Sequence, residues 1–203
     1  MANTSKINGL VPVRYQGGGL YTGAANIYEI VVGDGTATMI GDLVKADSGT
    51  ATDVYPTCVR HGTTGEVTSG LALGVIVGFV VVASGLDAAV PTLDVPLHRR
   101  ASTKRFALVA DDPRLVFEIQ DGATTATPIS SIGLNTGFMA TAGSTVTGAS
   151  GMTTGTTSAT TTSSLPLKII GIVNRPDNES GVASQKLLVM INQHYYMGGQ
   201  TAV

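Results

Sequence analysis

The sequence predicts an all-β protein: a sandwich- or barrel-like body of short antiparallel strands, with extended N-terminal and Thr-rich arms and little helix. Three observations carry this. The apolar runs are dominated by β-branched residues, which favour strands over helices. Glycine makes up 26 of 203 residues, close to twice the usual ~7%, and with proline it interrupts most windows long enough for a helix. Turn signals recur at short spacing between the apolar runs, the pattern of a sandwich or barrel.

Nine extended segments follow in order: Val11–Tyr15, Ile27–Val32, Thr38–Lys45, Val54–Arg60, Leu71–Val82, Phe106–Ala110, Val116–Gln120, Leu167–Val173 and Lys186–Ile191. In Val116–Gln120, Phe117 and Ile119 share one face and Glu118 and Gln120 the other, as in a half-buried strand. Leu71–Val82 and Leu187–Ile191 are continuously apolar, which predicts strands covered on both faces. Gly74 and Gly78 in the first run mark a bulge or a close backbone approach. Gly33-Asp34-Gly35 and Asp121-Gly122 suit turns because Asp-Gly tolerates positive φ. Asp112-Pro113 and Arg175-Pro176-Asp177-Asn178 suit turns through the fixed φ of proline.

The length suits a single β domain over residues 21–203, preceded by an N-terminal arm over residues 1–20 that ends in Gly17-Gly18-Gly19. Residues 143–164 form a Thr/Gly-rich stretch with no charge, and seven of the ten residues from Thr153 to Thr162 are Thr. Two readings stand side by side: a low-complexity linker, or an extended arm whose hydroxyls bond an adjacent strand.

Composition excludes several classes. A net charge of −2 does not suit a general nucleic-acid binder. A single Cys excludes a disulfide scaffold. The first residues lead into no apolar region of signal-peptide type, and Leu71–Ala83 is shorter than the ~20 residues of a spanning helix. His61, His98 and His194 each lack partners at metal spacing, so no metal and no cofactor is expected. No Gly-x-Ser-x-Gly elbow exists. Gly33-Asp34-Gly35-Thr36 lacks the Lys-Ser/Thr of a phosphate loop. No enzymatic activity is expected. Cys58 reads as a small apolar filler, and Asp111-Asp112 as a turn before Pro113.

One charge cluster stands out. His98 to Arg105 holds four of the twelve Lys/Arg in eight residues: Arg99, Arg100, Lys104 and Arg105. It reads as a solvated loop, as a patch facing acidic residues of a partner protein, or as a nucleic-acid contact. Four charges are too few for strong DNA affinity. A low-charge surface rich in Thr, Ser, Gly and Val suits a protein packed against others.

An ordered set of stretches adds a family resemblance. They are Ile7-Asn8-Gly9 with Pro12-Val13-Arg14-Tyr15; Gly41-Asp42-Leu43-Val44-Lys45; Gly74-Val75-Ile76-Val77-Gly78-Phe79; Val109-Ala110-Asp111-Asp112-Pro113 with Val116-Phe117-Glu118; Ile132-Gly133-Leu134-Asn135; Gly143-Ser144-Thr145-Val146-Thr147-Gly148; Leu165-Pro166-Leu167-Lys168-Ile169-Ile170-Gly171 with Asn174-Arg175-Pro176-Asp177-Asn178-Glu179; and Leu188-Val189-Met190-Ile191-Asn192-Gln193-His194-Tyr195. In this order the chain resembles the decoration or cement (head stabilisation) proteins of tailed bacteriophages.

The resemblance implies a virion structural protein on the capsid exterior, made in the host bacterial cytoplasm. It would bind the major capsid protein, clamp neighbouring subunits and stabilise the shell against internal DNA pressure. A homotrimer is favoured, with a homodimer as the alternative; no direct nucleic-acid binding and no membrane are expected. Another virion structural component, a tail or fibre module, is the alternative role. Three groups are the expected contacts. Arg14 and Tyr15 anchor the N-terminal arm. Arg99, Arg100, Lys104 and Arg105 meet capsid carboxylates. Arg175 and Asp177 with Tyr195 and Tyr196 form a turn-plus-aromatic patch, because Tyr and Arg are enriched at interface hot spots.

Overall fold

The computed structural model describes residues 3–47, 54–80, 97–123 and 125–197. The fold is all-β, with antiparallel pairing throughout its sheets. The strands are β1 (Val11–Tyr15), β2 (Asn26–Ile30), β3 (Thr38–Met39), β4 (Leu43–Ala46), β5 (Cys58–Arg60), β6 (Glu66–Val67), β7 (Gly74–Val80), β8 (His98–Arg99), β9 (Arg105–Ala110), β10 (Leu115–Gln120), β11 (Asn135–Thr136), β12 (Phe138–Met139), β13 (Thr153–Thr154), β14 (Leu167–Ile172) and β15 (Lys186–Ile191). Among the described residues a single 3-10 turn spans Ile129–Ser131. No helix among the described residues is long and apolar enough to cross a membrane.

Two five-stranded sheets dominate. The first has the order β1-β10-β15-β14-β11, the second β2-β9-β7-β4-β5. The second curls until its outer strands meet: Glu29 N–H donates to Pro56 O at 2.8 Å, and Glu29 bridges Thr57. Tyr28, Ile30, Val44, Cys58, Leu73, Ile76 and Val109 fill the interior of this barrel-like body. The neighbours of these residues in sequence point the other way. Val75 and Ala110 join Phe117, Ile119, Leu167, Ile169, Leu187 and Val189 in a second core between the barrel and the first sheet. The period-2 alternation of each strand thus serves two cores at once.

The continuous apolar run at Gly74–Val80 is covered on both faces, as its sequence predicts; Val81 and Val82 lie outside the described residues. The pairing of β7 with β9 shifts register between Ile76 and Gly78, which places the expected bulge. A Cβ on Gly74 would lie 2.5 Å from Ala110 O, so the backbones meet there as only glycine allows. The second such run departs from expectation. In β15 only Leu187, Val189 and Ile191 point to the core, while Leu188 and Met190 stand half-buried on the outer face of the first sheet.

Both expected arms lie against the body. Residues 11–15 form an outer strand of the first sheet on β10, and Leu10 is buried in the core. Chain return covers the free side of β1, where Tyr21 N–H donates to Val13 O and Tyr15 N–H to Gly19 O. Gly17-Gly18-Gly19 therefore makes a turn, with Gly18 N–H donating to Tyr15 O. In the Thr-rich stretch, Thr153–Thr154 pairs with β12, and Thr160 bridges Asn135 on the far edge strand β11. The Thr hydroxyls find a partner within their own chain: Glu66 accepts from Thr156 Oγ1 at 2.9 Å and from Thr157 Oγ1 at 2.9 Å. Burial raises the Glu66 carboxyl, but the bond from Thr157 N–H and these hydroxyl bonds together outweigh it and hold it below the usual range.

Candidate interaction surface

The basic stretch from His98 to Arg105 is divided by the fold. Arg99 is fully buried (0% exposed) and paired with Asp34 at 3.1 Å. Its guanidinium also donates to the carbonyls of Thr36, Val31, Asp34 and Thr103. Arg105 is buried too, donating to His98 O at 2.9 Å and lying over the Phe79 ring. Both side chains are turned into their own chain and not out to solvent, where the expected contact would need them: these two arginines tie β3, β8 and the Gly33–Gly35 turn together. Lys104 reaches back to the buried Glu29 carboxylate at 3.3 Å and stacks on Phe106. Arg100 alone of the four is open to solvent without an ion pair among the described residues.

The remaining expected residues gather around the first sheet. Arg14 is opposite Val116 and Tyr15 opposite Leu115. Leu115 faces the core, so Tyr15 packs inward against it and Arg14 projects on the outer face. On the same face, Arg175 forms a two-pronged pair with Glu118, at 2.8 and 2.9 Å, and reaches Asp177 at 3.3 Å. The Glu118 hydrogen bond, foremost among these contacts, raises the Arg175 guanidinium above its ordinary value. The Arg175–Asn178 segment is the expected turn, closed by Asn178 N–H to Arg175 O at 3.0 Å. Next to it Lys186 donates to Gln120 Oε1 at 3.0 Å and to Lys6 O, and burial lowers its ammonium.

Tyr195 and Tyr196 lie at the other end of the sheet, away from Arg175 and Asp177 in the fold's layout, so the expected single patch is two. The aromatic patch is exposed but held. Tyr195, Tyr196 and Met197 are 49%, 56% and 46% exposed. The two rings meet edge to face at 5.4 Å. The Tyr196 and Tyr28 hydroxyls are 2.7 Å apart, and Tyr28 in turn donates to Asp111 at 2.6 Å. Burial, then the Asp111 bond, pushes the Tyr28 hydroxyl far above its ordinary range, so it stays a neutral donor. Asn26 also donates to Asp111, at 2.9 Å, which fixes the carboxylate on the barrel. Asp112 closes its turn by accepting from Arg114 N–H at 2.7 Å, as the sequence suggests.

A cleft of about 410 Å³ opens beside this patch, lined by Arg114, Lys168, Met190, Asn192, His194 and Met197, among others. Lys168 and Met190 are direct neighbours across the β14–β15 pair. Sequence reasoning missed Arg114 and Lys168. The signal for Lys168 was a lone charge at an outward position within the apolar run Leu167–Ile172, whose neighbours Leu167 and Ile169 are core residues. Among the described residues no group of three or more His, Cys, Asp or Glu is placed to hold a metal. His61 and His194 are buried, and burial lowers both imidazoles.

What the fold defines is an all-β protein with a sandwich-like body built of several antiparallel sheets. Compared with family models, with curated proteins and with solved structures, the chain matches none of them.

Proposed function

We propose that this chain is a virion structural protein of a tailed bacteriophage that binds the outer surface of the capsid and cements neighbouring major capsid subunits. The observation that carries the reading is the aromatic patch of Tyr195, Tyr196 and Met197, about half exposed, in which Tyr196 is held through Tyr28 and Asp111 and the Tyr195 ring meets it edge to face. Exposed aromatic side chains already held in one arrangement lose little freedom on docking, which is what a binding hot spot requires. The ordered resemblance along the chain supports the same reading. Each molecule adds buried area across a subunit boundary, and a stable attachment needs on the order of 1,000 Å² or more. Attachment as a homotrimer, or as a homodimer, at a local symmetry axis multiplies the contacts and slows release.

The test is cosedimentation with expanded shells that lack this protein. Saturable binding at a fixed copy number per shell is expected, and that number identifies the axis occupied. A folded protein that does not bind refutes the cementing role and favours a tail or fibre module.

A further inference from the structure

Three features of the first sheet's outer face converge. The first is apolar. Leu188 and Met190 of β15 stand half-buried where a second layer would normally lie. The second is charge. Arg114 and Lys168 line one cleft with Met190 and Met197, no carboxylate lines it, and neither cation has an ion-pair partner among the described residues. Arg14 projects from the same face. On a chain with net charge −2, these cations lie in and beside a cleft whose lining holds no carboxylate, with Asp111 and Asp112 near its margin at His194. The third is the state of the edges. Chain return at Gly19–Tyr21 covers the β1 side, and Thr160 covers β11 on the other, so a partner cannot readily add a strand there and must dock on the face.

We infer that this cleft takes an acidic segment of a partner protein, which sets a carboxylate between Arg114 and Lys168 and lays aliphatic side chains on Met190 and Met197. Methionine suits such a site because its unbranched, polarisable side chain adapts to irregular apolar surfaces. The two cations supply orientation and rate of encounter, and the thioethers supply burial. Where the partner is the capsid subunit, the inference rests on the cementing reading and names the face that meets the shell.

Two measurements separate the ideas. The first is fluorescence anisotropy with a labelled peptide of alternating glutamate and leucine, and a lysine–leucine peptide as control. The acidic peptide is expected to bind at about 50 mM NaCl, to release at about 500 mM, and to lose about tenfold or more of its affinity in the Arg114→Glu/Lys168→Glu variant. Lys45→Glu, at an exposed cation on β4 of the second sheet, is expected to bind like the parent. Equal binding of both peptides, or a double variant within about twofold of the parent, overturns the inference. The second is cosedimentation of the same variants with expanded shells. If the parent binds shells and the double variant binds them equally well, this face is not the contact although the cementing role stands. If the parent does not bind shells, the cementing role fails and the peptide measurement still decides the cleft. Both substitutions are on side chains outside the core, and an unchanged melting temperature checks that the fold is kept.

Discussion

Removing the Arg60 guanidinium is the most informative single perturbation of this fold. Arg60 Nε donates to Asp42 Oδ2 at 2.9 Å, with Asp42 fully buried (0% exposed) and Arg60 nearly so. The remaining nitrogens donate to the carbonyls of Gly62, Thr63 and Thr141. Asp42 also accepts from Met39 N–H at 2.8 Å and Ser150 Oγ at 2.6 Å. The pair therefore joins β4, β5 and the two segments around Thr141 and Ser150. Burial pushes the Asp42 carboxyl up, and the charge of Arg60 is the strongest pull in the other direction. Arg60→Met fills much of the space but leaves a buried carboxylate uncompensated, which costs about 3–5 kcal/mol. Against a urea dependence of about 2 kcal/mol per molar, the unfolding midpoint falls by about 2 M. Urea titration followed by circular dichroism measures it. Asp42→Asn/Arg60→Met keeps an amide oxygen for Met39 N–H, turns the amide nitrogen as donor to the Ser150 hydroxyl oxygen and removes the charge, so it is expected to recover at least about 1 kcal/mol of the loss. The deficit of Arg60→Met also narrows as pH falls, because protonation discharges Asp42. A midpoint within about 0.3 M of the parent, or a double variant no better than the single, refutes the argument.

Three further outcomes follow from the same structure. Burial lowers the His61 and His194 imidazoles below their ordinary 6.5, so the unfolded chain takes up protons that the folded chain refuses; stability is complete above that value and declines as pH falls through it, and the melting temperature is expected to be lower at about pH 5.5 than at about pH 7.5, a difference that shrinks in His61→Gln/His194→Asn. Gly41 has φ +91° and a Cβ there would lie 2.2 Å from Asn8 O; Gly41→Ala is expected to lose about 1–3 kcal/mol from backbone strain alone, whereas Gly17→Ala, with open space around it, is expected to leave the urea midpoint unchanged. Burial pushes the Cys58 thiol up to about 12; it is expected to resist alkylation at about pH 8 in the folded protein and to react only in denaturant.

The sequence is most legible in strands of five or more residues. β1 and β15 match the predicted limits and β10 differs by one residue; in β10 the alternation of Phe117 and Ile119 with Glu118 and Gln120 also gives the facing, whereas the unbroken apolar run of β15 gives its limits and not its facing. Two-residue strands such as β3, β8 and β13 carry no period, so nothing local distinguishes them from loops. The same shortness hides the fate of the basic cluster. Arg99 and Arg100 are adjacent, and one is buried while the other is exposed; only the pairing of Thr38 with Arg99 decides which. The Thr-rich stretch was readable as strand-forming, but its partner Glu66 lies about ninety residues away in the chain, beyond any local pattern. The docking cleft is likewise a product of pairing, since Lys168 and Met190 become neighbours only through the β14–β15 register.

The order of strands in the first sheet has a mechanical meaning. β1 and β15 are each antiparallel to β10 between them, so they run parallel to one another. Tension applied between Val11 and Ile191 draws the start of β1 and the end of β15 in opposite directions along their own axes. The hydrogen bonds along each side of β10 are then loaded in shear, and those of one interface must fail together, whereas a hairpin pulled from its open end gives way one bond at a time. The two interfaces lie in series, so the weaker of them sets the strength of the sheet against a tether that grips it at those two ends.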